Sequence, residues 1–313
     1  MFQIDFMGKA KIFGLISAAL FFGSVAALAI LGPRPGIDFT GGIQLTLLYP
    51  PGTTVDLDTI RAQVNQALSE AGSKAAVYVQ HVSAERQLEN GERALLEGVM
   101  VTVRTTDEAV AEKLRQQFIS PREGSGIVPP FEYSVTAIGA QVSQKIVTRA
   151  WQAILVALAG MLVYIAIRFR FLYGIAAVLA LIHDVVITLG VFSVARLEIN
   201  LPVIAALLTV VGYSINDTIV IFDRIRENVR LQKKTPLWDI TNRSINQTLT
   251  RTLTTSGTTL VPVVILLVLG GVALREFMVA ILCGILAATY SSITIAPPTL
   301  WGVNRLSERL RSR

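Results

Sequence analysis

This 313-residue chain has very few of the residues that build metal centres and disulfide frameworks. Its one cysteine, Cys283, lies inside an apolar run, so the chain can form neither an internal disulfide nor a cysteine metal cluster. Its two histidines, His81 and His183, are too few for a histidine-rich metal site. We therefore expect no metal site built from cysteine or histidine, and no cofactor is expected for the chain.

Charge is scarce as well. Only 16% of the residues are charged, against about 25% in typical soluble domains, whereas 52% are hydrophobic and the mean hydropathy is +0.56. At roughly 100–200 residues per domain, the length alone would suggest two soluble domains. The composition excludes that interpretation and indicates a membrane protein.

Six apolar runs are long enough to cross a membrane, which takes about 20 residues of helix. They are Ile12–Leu31, Ala150–Ile167, Phe171–Ala195, Leu201–Phe222, Leu253–Ala273 and Phe277–Trp301. The first run follows two lysines, as in a signal peptide. Its apolar length exceeds the usual 7–15 residues or so of such peptides, so we predict a retained membrane anchor.

The positions of the basic residues indicate the orientation. If the N-terminus is cytoplasmic, fifteen of the 28 Lys and Arg residues fall in cytoplasmic segments, and the two short outer turns hold only Arg196 and Arg275. The positive-inside rule therefore places both termini in the cytoplasm. The net charge of +6 then reflects topology and does not indicate a nucleic-acid-binding surface. We predict four parts. Residues 1–31 hold the cytoplasmic N-terminus and the first span, and residues 32–149 form an extracytoplasmic domain. Residues 150–301 hold the other five spans, and residues 302–313 form a basic cytoplasmic tail.

The long loop after the first span has the pattern of an α+β domain. Its β-rich and helical runs alternate in the order βαββαβ, which is that of a ferredoxin-like unit. The predicted elements are strand Ile43–Leu48, helix Leu57–Ala71, strands Ala75–Val82 and Ala94–Arg104, helix Glu108–Phe118 and strand Phe131–Ile138. Pro121–Pro130 reads as a surface loop. Nothing in this domain has the pattern of a catalytic site. The predicted fold class is thus a polytopic α-helical membrane protein with one ferredoxin-like domain.

Two spans contain a carboxylate, which is costly in lipid and is therefore a functional candidate. Asp184 follows His183 in the third span, and Asp217 lies in the fourth. Tyr213, Asn216 and Asp217 share one helical face, which we expect to point into the helix bundle. His183 and Asp184 could form a buried hydrogen-bonded pair or could take part in a proton relay.

Arg251 is the plausible cationic partner of Asp217, because it enters the fifth span from the side that Asp217 approaches in the fourth. Burial favours a neutral carboxylic acid and a nearby arginine favours the carboxylate, so protonation could switch this pair and change the helix packing. Around Arg251, eight of the twelve residues from Thr248 onward are Ser or Thr. These hydroxyls could line a hydrated path or simply allow close helix packing.

Four segments carry a resemblance to a known family. They are GIDFTGG (Gly36–Gly42), HDV (His183–Val185), VGYSINDTIVIFDRIREN (Val211–Asn228) and RTLTTSGTTL (Arg251–Leu260). In these motifs, and over nearly its whole length, the chain resembles the SecF family of bacterial SecDF protein-export complexes. That family belongs to the resistance-nodulation-division superfamily of proton-driven transporters.

The resemblance implies a bacterial inner-membrane protein without hydrolytic chemistry of its own. It implies that SecD and the SecYEG channel are partners and that the proton motive force assists preprotein movement after the SecA step. Unfolded preproteins and membrane lipid are further expected partners, and nucleic acid is not. Asp217 and Arg251 match the family's proton-relay residues, with Asn216 and Asp184 as supporting members. The expected coupling ion is H⁺, although a carboxylate among hydroxyl groups would also suit Na⁺.

One feature departs from the superfamily pattern. Its transporters usually have twelve spans in two similar halves, whereas this chain has six. A partner half is therefore required, which would be SecD as a separate chain or as part of a longer product.

Other functions remain open on the sequence alone. An intramembrane aspartyl protease would use Asp184 and Asp217 as its two carboxylates, but neither is preceded by the Gly of such motifs and Arg251 would oppose a shared proton. A scaffold that stabilises an export channel without driving it is another alternative. A drug or lipid exporter of the same superfamily is a third.

Overall fold

The computed structural model describes residues 4–53, 55–73, 75–87, 93–105, 107–119, 129–168 and 171–311. The predicted surface loop at Pro121–Pro130 falls largely outside these residues. In chain order, the elements are α1 (Ala10–Ile30), β1 (Arg34–Pro35), α2 (Ile37–Thr40), β2 (Gly42–Leu48), α3 (Leu57–Glu70), β3 (Val77–Gln87), β4 (Arg93–Val103), α4 (Glu108–Phe118), β5 (Glu132–Ile138), α5 (Ala140–Arg168), α6 (Phe171–Ala195), β6 (Glu198–Ile199), α7 (Leu201–Leu231), α8 (Leu237–Leu269), α9 (Val272–Thr294) and α10 (Ala296–Arg311).

The chain divides into two compact units. The helical unit comprises Met1–Arg34, Ala153–Ile265 and Glu276–Arg313, and the α+β unit comprises Pro35–Gln152 and Leu266–Arg275. Within the described residues, six helices are long and apolar enough to cross a membrane. The predicted fold class is confirmed.

The α+β unit contains a four-stranded sheet in the order β3-β4-β2-β5, in which all neighbouring strands are antiparallel. The first and third strands of the βαββαβ unit therefore lie side by side in the middle, as a ferredoxin-like unit requires. Helices α3 and α4 cover the sheet with residues such as Val64, Leu114 and Phe118, which are buried against Leu45 and Val101 of the central strands. Both helices begin at an aspartate N-cap, Asp56 or Asp107, whose carboxylate accepts hydrogen bonds from the first turn.

The glycine pair at the end of the GIDFTGG motif makes the turn from α2 into β2. Gly41 has φ +68° and Gly42 has φ +141°, conformations that residues with a side chain rarely adopt. A Cβ atom on Gly42 would also lie 2.6 Å from the carbonyl oxygen of Val103 on the neighbouring strand. The motif is thus explained by backbone geometry at the start of a central strand.

The variant Gly42→Ala is expected to lower the free energy of unfolding of the α+β unit by about 3 kcal/mol, because it adds both backbone strain and a steric overlap. Hydrogen exchange of the β2 amides in the full-length protein measures this effect. Gly139→Ala is the matched control, since a Cβ there meets no atom within 4 Å. Equal exchange rates in the two variants would contradict the prediction.

Small residues allow the helices of the helical unit to approach closely. A Cβ on Gly190 of α6 would lie 2.3 Å from Cβ of Ser24 on α1, and a Cβ on Gly284 of α9 would lie 2.3 Å from Cγ2 of Val210 on α7. Around these contacts, α6 and α7 contribute many of the buried residues of the unit. These two helices carry the two carboxylates that the sequence singled out, Asp184 and Asp217.

The segment before α1 is bound to the first half of α8. The Asn242 side-chain oxygen accepts hydrogen bonds from the backbone N–H groups of Phe6 and Met7, and Asn246 exchanges two hydrogen bonds with the backbone of Ile4. Met7 is fully buried in the main apolar cluster of the unit. The N-terminal half of α8 is thereby held within the helical unit.

Two predicted spans end several residues earlier than expected. The sixth was predicted to run to Trp301, but α9 ends at Thr294 and α10 begins at Ala296. Pro297 and Pro298 explain the break, because proline lacks the N–H of the helical ladder and disfavours a helical residue before it. The fifth was predicted to reach Ala273, but α8 ends at Leu269 and Gly271 follows with φ +74°.

Candidate functional site

The candidate site lies between α7 and α8, which are held in register by side-chain hydrogen bonds. At one level the Tyr213 hydroxyl donates to Ser256 Oγ over 3.1 Å. At another, Arg224 Nε donates to Gln247 Oε1 over 2.7 Å. Asp217 lies between Tyr213 and Arg224 on α7, and Arg251 lies between Gln247 and Ser256 on α8. The two charged residues are therefore at similar depth.

The Asp217 side chain is buried without a hydrogen-bonding partner on one of its oxygens. Its residue is 3% exposed, and Oδ2 contacts no donor among the described residues. A buried polar atom without a partner is costly and is often explained by function or by a bound ion or water molecule. Asp217 is thus the one carboxylate among the buried side-chain groups that lack a partner in the described part of the chain.

Arg251 interacts with Asp217 through its charge. It is exposed on this chain, and its guanidinium acts electrostatically on the Asp217 carboxylate, but the two described side chains form no ion pair within 4.0 Å. Asp217 and Arg251 therefore form a separated pair, in which the carboxylate is buried and the guanidinium is exposed on the surface of this chain. The functional pairing of Asp217 with Arg251 therefore stays a prediction.

The Ser/Thr-rich segment of α8 divides into two faces. Thr255, Thr258 and Thr259 donate to backbone carbonyls of their own helix, so these hydroxyls are satisfied and suit helix packing. Thr252 differs, because it is 1% exposed and its hydroxyl has no partner among the described residues. It follows Arg251 directly and lies at the depth of Asp217.

Sequence reasoning did not single out Thr252. The available signal was its spacing of four residues from Thr248 and Ser256, which places all three on one helical face. All three are buried, and Ser256 of this face bonds to α7. The free hydroxyl of Thr252 and the free oxygen of Asp217 give this part of the α7–α8 interface two buried polar atoms that a proton, water or small cation would satisfy.

Within this chain, only part of the predicted stripe of Tyr213, Asn216 and Asp217 faces the interior. Asn216 is exposed, Tyr213 is half-buried and Asp217 is buried. The stripe therefore crosses the border between the interior of this chain and its surface. Asn216 and Arg251 both open onto that surface.

Asp184 lies elsewhere in the helical unit and is fully buried. Its Oδ2 accepts hydrogen bonds from Ser214 Oγ at 2.6 Å and Ser291 Oγ at 2.8 Å, and its Oδ1 lies 3.1 Å from His183 Nδ1. The contact matches one of the two alternatives for His183 and Asp184, a buried hydrogen-bonded pair, whereas the two serine partners were not predicted. No hydrogen bond joins Asp184 to Asp217 in the part of the chain that is described.

These contacts do not suit the catalytic pair of an aspartyl protease, in which two carboxylates share one proton. Asp184 is occupied by two hydroxyls, and the buried oxygen of Asp217 has no partner. Among the described residues, no group of three or more His, Cys, Asp or Glu side chains could hold a metal ion.

The fold and the site together define the class of the protein. It is an α-helical multi-pass membrane protein with a ferredoxin-like unit after its first long helix, and it buries carboxylates on two neighbouring helices. A family described as "Protein export membrane protein SecD/SecF, C-terminal" matches residues 128–305, and "SecD/SecF GG Motif" matches residues 26–49.

The chain is similar to SecF proteins over nearly its whole length. It is 39% identical over 314 residues to "Protein translocase subunit SecF" of Thermodesulfovibrio yellowstonii, which covers 98% of this chain and 97% of that one. The SecF of Calditerrivibrio nitroreducens is 36% identical and covers 98% of this chain and 96% of its own length. The chain belongs to the SecF subunits of the SecD/SecF family, which are not enzymes.

A solved structure supports the same assignment. The crystal structure of SecDF, a translocon-associated membrane protein from Thermus thermophilus, superposes with a TM-score of 0.80 at 34% identity. The match covers 97% of this chain but only 39% of the SecDF chain. This chain thus spans about two fifths of that longer protein.

Proposed function

We propose that this chain is the SecF half of a complex that uses the proton motive force to assist preprotein export. SecD supplies the other half, and the complex acts at the SecYEG channel after the SecA-driven step. The protein lies in the bacterial inner membrane with both termini in the cytoplasm and residues 32–149 outside. The observation that carries this proposal is the buried, unpartnered oxygen of Asp217 at the depth of Arg251.

The proposed cycle begins with the separated Asp217–Arg251 pair. While Asp217 is ionised, Arg251 attracts it, and this attraction is stronger in a low-dielectric interior than in water. A proton that binds Asp217 removes the attraction and also satisfies a carboxyl that burial makes costly to ionise. Arg251 and the α8 helix then lose their electrostatic restraint toward α7. Loss of the proton to the other side of the membrane restores it.

The energy available from one proton is sufficient for such a change. Moving one charge across 100 mV supplies about 2.3 kcal/mol, which is roughly a fifty-fold bias in a conformational equilibrium. In the proposed mechanism this energy changes the packing of α7 against α8, and the change moves the domain outside the membrane. The preprotein is the load and forms no covalent bond with the chain.

SecD is the proposed occupant of the open side of the site. Asn216 and Arg251 are exposed on this chain, although both are polar residues of membrane-crossing helices. Lipid would oppose such exposure, so a protein partner is expected to cover them. The SecDF chain of Thermus thermophilus, of which this chain covers 39%, has the additional length for such a second half.

The test uses proteoliposomes that contain this chain, SecD and SecYEG, with SecA, ATP and a preprotein reporter. An imposed proton gradient is expected to increase the amount of protease-protected preprotein, and a sodium gradient of equal size is not. An uncoupler that collapses the proton gradient is the control. Equal stimulation by sodium would overturn the proposed coupling ion, and no stimulation by either gradient would favour a scaffold without motor function.

A further inference from the structure

We propose that Asp184 is a positioning residue, which fixes α7 and therefore Asp217 relative to α6 and α9, and that it does not carry the coupling proton. This inference rests on the proposed function, because it concerns the helix that holds the proton-binding carboxylate. It assigns to Asp184 a role different from the relay membership that the family resemblance implies.

The first support is that both oxygens of the Asp184 carboxyl group are occupied. Oδ2 accepts from hydroxyls on two other helices, Ser214 of α7 and Ser291 of α9, and Oδ1 lies against His183 Nδ1. A fully satisfied buried polar group makes the surrounding structure rigid. A proton carrier needs access to changing partners, as the free oxygen of Asp217 provides.

The second support is the place of Ser214 on α7. Ser214 is three residues before Asp217, so the two side chains lie almost one above the other on the same side of the helix. Both are buried, Ser214 completely. The 2.6 Å hydrogen bond from Ser214 to Asp184 therefore limits rotation and sliding of α7 within one turn of Asp217.

The third support is that the same hydrogen bonds close a ring over four helices. On α9, Ser291 bonds Asp184, and two residues earlier Thr289 Oγ1 lies 2.7 Å from Ser256 Oγ on α8. Ser256 in turn accepts from Tyr213 on α7, next to Ser214. The ring passes through α6, α7, α8 and α9 at the level of Tyr213 and Ser256, about one helical turn from Asp217.

His183 is fixed within this arrangement by its aromatic neighbours. Its ring stacks on Phe21 with centroids 6.3 Å apart and on Tyr290 with centroids 6.5 Å apart. The Tyr290 hydroxyl is itself anchored, because it donates to the Phe13 carbonyl oxygen over 3.0 Å. The imidazole thus holds Asp184 from the side of α1 and α9.

The test compares Asp184→Asn with Asp184→Leu, two side chains that branch at Cγ into two terminal atoms as aspartate does. Asparagine keeps an oxygen that accepts from both Ser214 and Ser291 at the position of Oδ2, with its amide nitrogen on the side of His183, whereas leucine accepts from neither serine. Neither variant can carry a proton. Asp184→Asn is expected to keep the gradient-dependent export of the parent protein, and Asp184→Leu is expected to lose it.

A second readout follows α7 directly and does not depend on export. In a Cys283→Ala background, single cysteines replace Thr209, which is exposed on α7, or Val210, which is buried beside it. A membrane-permeable maleimide is expected to prefer position 209 in the parent protein and in Asp184→Asn. In Asp184→Leu this preference is expected to be lost, because α7 is free to rotate.

Two single-bond variants cover the case in which Asp184→Leu does not fold. Ser214→Ala removes the bond to α7 and is expected to weaken the labelling preference, whereas Ser291→Ala removes only the bond to α9 and is expected to change it less. Loss of export in Asp184→Asn with normal labelling would overturn the inference and identify Asp184 as a proton carrier. Normal labelling in both Asp184→Leu and Ser214→Ala would overturn it as well. The labelling experiment reports on the position of α7 even if export proves independent of the proton gradient. A failure of the positioning role of Asp184 can therefore be distinguished from a failure of proton-driven export.

Discussion

Asp217→Asn is expected to abolish the part of preprotein export that depends on the proton gradient, leaving the rate measured with SecA and ATP alone. Asparagine has nearly the shape of aspartate but neither ionises nor binds a proton at neutral pH. The carboxylate is buried with one oxygen free, so no neighbouring donor in the described part of the chain replaces the proton as its partner. Export in the proteoliposomes described above measures the effect.

The control for this variant is Asp239→Asn, which makes the same chemical change at an exposed position in the first turn of α8. It is expected to export at the parental rate. The amount and detergent stability of Asp217→Asn are expected to be unchanged or higher, because removing a buried charge removes a cost of folding. Gradient-stimulated export by Asp217→Asn at the parental rate would refute the motor function and leave the scaffold.

The sequence was sufficient to predict the membrane spans because their signal is local. A run of about 20 apolar residues is informative whatever surrounds it. The βαββαβ order was predictable for a similar reason, since period-2 and period-3.6 patterns alternate along the chain. The break between α9 and α10 also had a local cause, Pro297–Pro298, but the apolar run continues past it and hydropathy alone does not register proline.

The candidate site was predictable only in part. An aspartate within an apolar span is conspicuous in the sequence, because a carboxylate in lipid has a high free-energy cost. This criterion selected Asp184 and Asp217. Their partners depend on which helices are neighbours, which no local pattern contains. Ser214, Ser291 and Thr252 are ordinary hydroxyl residues in sequence, and they differ only because α6, α7, α8 and α9 pack together in this arrangement.

The exposure of Asn216 illustrates a further limit of the sequence. Helical spacing correctly places Asn216 beside Asp217 on α7, but spacing does not reveal whether a polar stripe points into its own chain or toward another. In this chain the border runs between the two residues. Since polar residues on membrane helices need a protein or aqueous environment, the exposed side supports the proposal that these six helices form one half of a larger bundle.

Arg251→Met is expected to reduce gradient-dependent export as severely as Asp217→Asn. Methionine fills much of the volume of the arginine stem without its charge, so Asp217 loses the cation that acts on its ionised form. Asp217 would then remain neutral through the cycle, and the proton could no longer change the restraint between α7 and α8. Arg251→Lys keeps a positive charge and is expected to retain part of the activity, although lysine lacks the planar donor group of arginine.

Two comparisons make the Arg251 prediction specific. Arg243→Met changes another exposed arginine on α8, two turns nearer the N-terminus of the helix, and is expected to leave export unchanged. The double variant Asp217→Asn with Arg251→Met is expected to be no worse than either single variant, because both remove the same interaction. Export is measured in proteoliposomes for all four proteins at equal amounts of complex. If Arg251→Met exports like Arg243→Met, then Arg251 has no part in coupling, and Asp217 must exchange its proton with another partner.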